Sequence, residues 1–137
     1  MTDDKHKLLE TAQLYALGAD TGDAALWHRV LAEDCEIIGP GFHQKGRAIC
    51  LQSVDMLGQM FRGTQHKIHQ QVVEITEDKA TGVTYATADH LLKDEDAILV
   101  WNMRYLDSWQ KQAEDWQFTR RELIVDWQET RPVQLLS

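Results

Sequence analysis

The 137-residue chain is 43% apolar and 26% charged, with a formal net charge of -8. That length fits one domain, which buries roughly 68–70% of its unfolded surface and has room for a core with a cavity in it. The acidity argues against nucleic acid, which needs a basic face, and no run approaches the ~18 apolar residues of a membrane span.

Met1 to Lys7 is polar with no apolar stretch behind it, so we expect a cytoplasmic protein without a targeting signal. The two cysteines, Cys35 and Cys50, read as free thiols in a reducing compartment. A first helix is expected from Asp3 to Ala19, because Leu8, Ala12, Tyr15, Ala16 and Ala19 form one helical stripe. Asp20 follows Ala16 by four residues. If the helix continues one residue further, its carboxylate lies on the apolar stripe and points inward; otherwise it belongs to the turn Asp20-Thr21-Gly22-Asp23.

Asp23 is placed to cap a second helix, Ala24 to Ala32, burying Leu26, Trp27, Val30 and Leu31. Cys35 to Ile38 reads as a short strand, and Gly39-Pro40-Gly41 as a rim loop with Phe42 and His43 at its far end. A third helix is expected from Gly46 to about Phe61, with Cys50, Val54, Leu57 and Phe61 as its core stripe and Met56 and Met60 as flanking core fill.

Four β-like runs follow, over residues 65–76, 80–92, 97–109 and 116–127. Short polar separators between them imply consecutive antiparallel hairpins. Three helices and then a long meander predict an α+β fold with a curved sheet wrapped around the helices. Along the second run Val83, Tyr85, Thr87, Asp89 and Leu91 share one face, and Thr84, Ala86, Ala88, His90 and Leu92 the other. One of Asp89 and His90 therefore faces the concave side. In the third run Leu99, Trp101, Met103, Tyr105, Asp107 and Trp109 share a face. In the fourth, Trp116, Phe118, Arg120, Glu122 and Ile124 oppose Arg121, Leu123, Val125 and Trp127.

His66 opens the first run where a core strand normally carries Val or Ile. A metal set of His66, His69, Asp89 and His90 is disfavoured: it lacks helical His spacing, and alternation separates His66 from His69. An acid–base pair is the better physical proposal. A neutral imidazole can accept a proton near pH 7, and a carboxylate on its other nitrogen fixes the tautomer and stabilises the imidazolium. Such chemistry needs no cofactor.

Leu14-Tyr15-Ala16-x3-Asp20-x2-Asp23, Leu31-Ala32-Glu33-Asp34-Cys35, Thr64-Gln65-His66, Arg104-Tyr105-Leu106-Asp107 and Trp116-x3-Arg120-Arg121-x4-Asp126-Trp127 carry a resemblance. In order and spacing they resemble the SnoaL-like group of the nuclear transport factor 2-like superfamily. The resemblance implies a cone-shaped α+β barrel with a pocket at its wide end. It also implies an Asp–His pair for elimination, which Asp20 and His66 resemble. Tyr15, Asp89 and His90 resemble further polar site residues of dehydratases in the group, whereas the dehydrochlorinase of the group has lysine where this chain has Tyr15.

The resulting expectation is a cofactor-free lyase of dehydratase type, or an isomerase, acting on a hydrophobic and cyclic small molecule. His66 would take the proton, Asp20 orient it, and Tyr15 protonate the leaving hydroxyl, with Asp89 or His90 assisting. The alternatives are a non-catalytic binding or dimerisation module, a polyketide cyclase-like protein, or an accessory β subunit of a ring-hydroxylating oxygenase. The outer face of a curved sheet needs cover, so a homodimer is expected ahead of a trimer.

Overall fold

A computed structural model describes residues 3–136. The first helix, α1, spans Asp3–Thr21 and buries the expected stripe of Leu8, Ala12, Tyr15, Ala16 and Ala19. It runs past Ala19, so Asp20 is helical. It stops where Gly22 takes φ 69°, a left-handed conformation that glycine adopts without steric cost. The Asp23 carboxylate then accepts a hydrogen bond from the Ala25 N–H at 3.0 Å and caps α2, Ala24–Val30.

The second helix is shorter than its composition suggests. Leu31 and Ala32, expected as its last residues, begin strand β1, Leu31–Gly39. Leu31 pairs in parallel with Phe118, and both are fully buried, so sheet pairing and burial override local helix preference. The expected rim loop is likewise a hairpin: Gly41 turns at φ 80° and Phe42–Lys45 forms β2, antiparallel to β1. Helix α3 spans Arg47–Met60, with Gly46 as its N-cap at φ 92°.

Four long strands complete the chain: β3 (Gly63–Thr76), β4 (Lys79–Leu91), β5 (Ala97–Gln112) and β6 (Asp115–Pro132). They pair consecutively and antiparallel, as the short separators imply. The sheet order is β2-β1-β6-β5-β4-β3, open at both ends, with β1 parallel to β6. Three helices pack on this mixed six-stranded sheet, an α+β cone.

Bulges change which residues face inward. In β6 an extra residue opposite Ser108/Trp109 brings Phe118 and Arg121 to the same inner face, although simple alternation put them on opposite faces. A second, opposite Asn102/Met103, turns Trp127 outward, where it is 68% exposed. A third, in β3 after Ile68, sets Gln71 facing inward toward Thr84. The core lies between the helices and the concave face and includes Leu8, Trp27, Trp109, Trp116 and Phe118. Cys35 and Cys50 are both buried and unbonded. Among the described residues no helix is long and apolar enough to cross a membrane.

Candidate functional site

A cavity of about 420 Å³ opens between α1, α3 and the concave face of the sheet. Its walls are mainly apolar, and Pro40, Phe42, Met56 and Met60 line it together with Trp101 and Leu123. Met56 and Met60, expected as core fill, are instead about half exposed on this wall. α3 turns Cys50 and Val54 to the core and leaves the methionines beside the opening. A second groove, of about 470 Å³, runs past Lys5, His6 and His69 at the outer edge of β3. It brings no carboxylate to a histidine, so the first cavity is the better candidate for chemistry.

Asp20, on the last turn of α1, meets His66 near the start of β3. The His66 Nδ1 lies 2.6 Å from Asp20 Oδ1. The same carboxylate accepts the His66 backbone N–H at 2.8 Å through Oδ2, and the Thr64 hydroxyl at 2.9 Å through Oδ1. Three donors therefore fix one carboxylate. The side chains are only 8% and 20% exposed for His66 and Asp20, so the contact is shielded from water while His66 still lines the cavity. A carboxylate on Nδ1 places the imidazole proton there and leaves Nε2 as an acceptor.

His90, the penultimate residue of β4, also lines the cavity. Its ring meets His66 edge-on at a centroid separation of 6.1 Å, and packs against Trp101 and Phe61 at 5.1 and 4.7 Å. The Leu99 carbonyl lies 3.0 Å from its Nδ1 and accepts the proton there, so its Nε2 is also an acceptor. Burial pulls its pKa below the usual histidine range, opposed by the Leu99 carbonyl, so the ring is neutral at pH 7.

Asp89 faces the other way. It accepts from Lys67 Nζ at 2.7 Å on the outer side of the sheet, is absent from the cavity lining, and leaves Oδ1 buried without a partner among the described residues. The choice left open between Asp89 and His90 thus falls to His90, and Asp89 is not brought to the site. His69 also points outward, to the Thr87 hydroxyl at 2.7 Å.

Tyr15 lines the cavity floor, stacked on Trp27 with centroids 4.1 Å apart. Burial pushes its phenol well above the usual range, so it is a permanent donor at neutral pH. Tyr105 lines the cavity beside it, at 6.1 Å between centroids and edge-on; burial pushes its phenol up to about 12. Behind both lies a fully buried ion pair. Arg121 Nε donates to Asp107 Oδ1 at 2.7 Å and Nη2 to Oδ2 at 3.1 Å. Thr84 joins Asp107 at 2.8 Å, and Gln71 joins Thr84 at 2.9 Å.

Sequence reasoning did not assign Tyr105, Asp107 and Arg121 to the site. The signal was nonetheless present: Tyr105 and Asp107 interrupt the apolar face of Trp101, Met103 and Trp109. Arg121 was hidden by the bulge in β6.

The amino-acid sequence matches a known family. A model of the SnoaL-like domain matches residues 1–122. The chain belongs to the SnoaL-like domain family. Among solved structures, this SnoaL-like domain superimposes on a candidate scytalone dehydratase from Novosphingobium aromaticivorans, with a TM-score of 0.86 and 25% identity over 98% of this chain and 94% of that one. A type 2 hexachlorocyclohexane dehydrochlorinase gives a TM-score of 0.89 at 14% identity, over 99% and 94% of the two chains. A candidate aromatic ring hydroxylase from the same Novosphingobium species gives 0.85 at 20%, over 97% and 95%. The last two likenesses establish the fold alone. No match was found among curated proteins.

Proposed function

We propose that this SnoaL-like domain is a cofactor-independent lyase of dehydratase type, or an isomerase, for a hydrophobic cyclic small molecule. The observation that carries the reading is the 2.6 Å contact of Asp20 with His66 Nδ1, in a mainly apolar cavity that His66 itself lines. Its Nε2 takes a proton from a substrate carbon, and Asp20 stabilises the imidazolium that forms. The C–H electron pair becomes a C=C bond as a neighbouring C–O bond breaks. Tyr15 gives its proton to the departing oxygen, which leaves as water. Return of the proton from His66 to Tyr15 through solvent closes the cycle. In an isomerase the same pair would return the proton to another carbon. His90, neutral and with an acceptor nitrogen, orients a substrate hydroxyl rather than protonating it.

The candidate scytalone dehydratase among the structural neighbours supports water loss as the reaction. A cavity filled by its own side chains, with no room for a ligand, would favour a non-catalytic module of the same fold. Phe42, Met60 and Trp101 line the cavity yet leave about 420 Å³ free, within the range of small-molecule sites. We also propose a cytoplasmic homodimer, joined through the outer sheet face where Val72, Tyr85 and Trp127 are exposed; light scattering that reports a monomer at micromolar concentration would refute that assembly.

The test is a panel of bicyclic β-hydroxy ketones, followed by the ultraviolet absorbance of the conjugated product. On any compound turned over, His66→Ala lowers kcat/KM by roughly 10²–10⁴-fold. Full turnover by both His66→Ala and Asp20→Asn would reduce the pair to a structural contact.

A further inference from the structure

Arg121 and Asp107 are the most expensive residues in the molecule to bury. Both side chains are fully inaccessible, and taking two such charges out of water carries a large desolvation penalty that mutual attraction only partly offsets. Buried pairs of this kind are commonly replaced by apolar residues without loss of stability, so stability alone does not account for this one.

Its surroundings supply another account. The guanidinium carbon lies 3.6 Å from the ring centroid of Tyr105, 4.4 Å from Tyr15 and 4.1 Å from Phe118. Nη1 has no hydrogen-bond partner among the described residues, so these aromatic faces are its solvation. Two of the three rings are the phenols that line the cavity. Asp107 holds the guanidinium by two nitrogens, and Thr84 and Gln71 hold Asp107 in turn, so the cation is fixed in place behind them.

Building on the elimination reading, we infer that Arg121, anchored by Asp107, is a positioning residue. It makes Tyr15 and Tyr105 a paired hydrogen-bond donor for a substrate oxygen that gains negative charge. As His66 removes the proton and the C–H electrons form the C=C bond, the C–O bonding pair passes to the departing oxygen; Tyr15 transfers its proton to that oxygen while Tyr105 donates a hydrogen bond to it. A cation packed on the rings strengthens both donors. Burial raises both phenols, and Arg121 acts on each in the opposite direction. The other titratable groups facing Tyr15 are Tyr105, Cys35 and Cys50; those facing Tyr105 are Asp107 and Asp20. The ligand class that follows is a compound with a departing hydroxyl beside the carbon that loses its proton.

The chain has three tyrosines, so full replacement by 3-fluorotyrosine gives three ¹⁹F resonances. Tyr85, partly exposed on the outer face, is the internal control. In the paired variant Asp107→Leu/Arg121→Met, the titration midpoints of Tyr15 and Tyr105 should rise by about one pH unit relative to Tyr85, the tenfold change carried by a desolvated cation–π contact. Midpoints that stay fixed or fall would overturn the inference.

A second measurement covers the case in which the paired variant does not fold. Tyr15→Phe/Tyr105→Phe should bind 2-naphtholate at least about tenfold more weakly than the parent, while binding the neutral ether 2-methoxynaphthalene equally. Loss of both probes by the same factor, or of neither, would contradict a donor pair. These readouts do not depend on turnover. Their failure leaves the His66 base reading standing, and a fully active His66→Ala protein removes that reading without touching them.

Discussion

Two carboxylate-anchored pairs face the interior from opposite ends of the cavity, and they differ in what is left over. At the mouth, Asp20 grips one nitrogen of His66 and leaves the other available at a surface that a ligand can reach. At the floor, Asp107 grips Arg121 through two nitrogens with neither side chain accessible. The first pair can exchange a proton; the second cannot, because guanidinium holds its charge at every physiological pH. A polar pair inside a fold becomes a site through its free valence and access, and becomes scaffold when both are used up.

The sharpest break of this contrast is His66→Ala. It should lower kcat/KM by roughly 10²–10⁴-fold on any substrate found, with little change in the thermal midpoint. At the floor the effect should reverse in kind. Asp107→Ala strands a buried guanidinium and should cost roughly 3–5 kcal/mol in denaturant unfolding, whereas Asp107→Leu/Arg121→Met should hold stability near the parent value. Next comes Asp20→Asn, which keeps the shape but loosens the tautomer, for a fall of at least about tenfold in kcat/KM.

Gly82 sits opposite Asp107 in the β4–β5 register, and a Cβ there would lie 2.9 Å from Val73 Cγ1 and closer still to the Val72 carbonyl. Gly82→Ala should therefore destabilise by roughly 1–3 kcal/mol. The smallest effect belongs to His90. Its folded pKa is depressed by burial, so its contribution to stability is complete above about pH 6.5 and is lost as pH falls toward the folded value. His90→Phe should flatten that part of the stability–pH curve, measured by urea unfolding between pH 7 and pH 5.

The mouth was readable in the sequence and Arg121 behind the floor was not, for a physical reason. Asp20 sits on a helical stripe whose period is fixed by backbone geometry, and His66 opens a strand with no irregularity before it. Their faces follow from counting. Arg121 and Gln71 face inward because of bulges, each of which shifts the phase of a strand by one residue. The bulge in β6 turns Arg121 inward beside Phe118, and alternation alone put these two residues on opposite faces. The same shift sends Trp127 outward. The boundary between α2 and β1 was missed because Leu31 and Ala32 suit either a helix or a buried strand, and only pairing with Phe118 decides between them. Asp89 and His90 are adjacent on a regular strand; alternation separated them, and the concave packing then gave the cavity to His90.

The mechanism stands on Asp20 holding His66 with Nδ1 protonated and Nε2 free to accept a proton. Long-range ¹H–¹⁵N NMR of the histidine side chains at pH 7.5 tests it directly, with His66→Gln to assign the signal. The expected result is a protonated Nδ1 and a bare Nε2 for His66 in the parent protein, giving way to a tautomer mixture in Asp20→Asn. A His66 protonated at Nε2 in the parent, or one indifferent to Asp20→Asn, would contradict it.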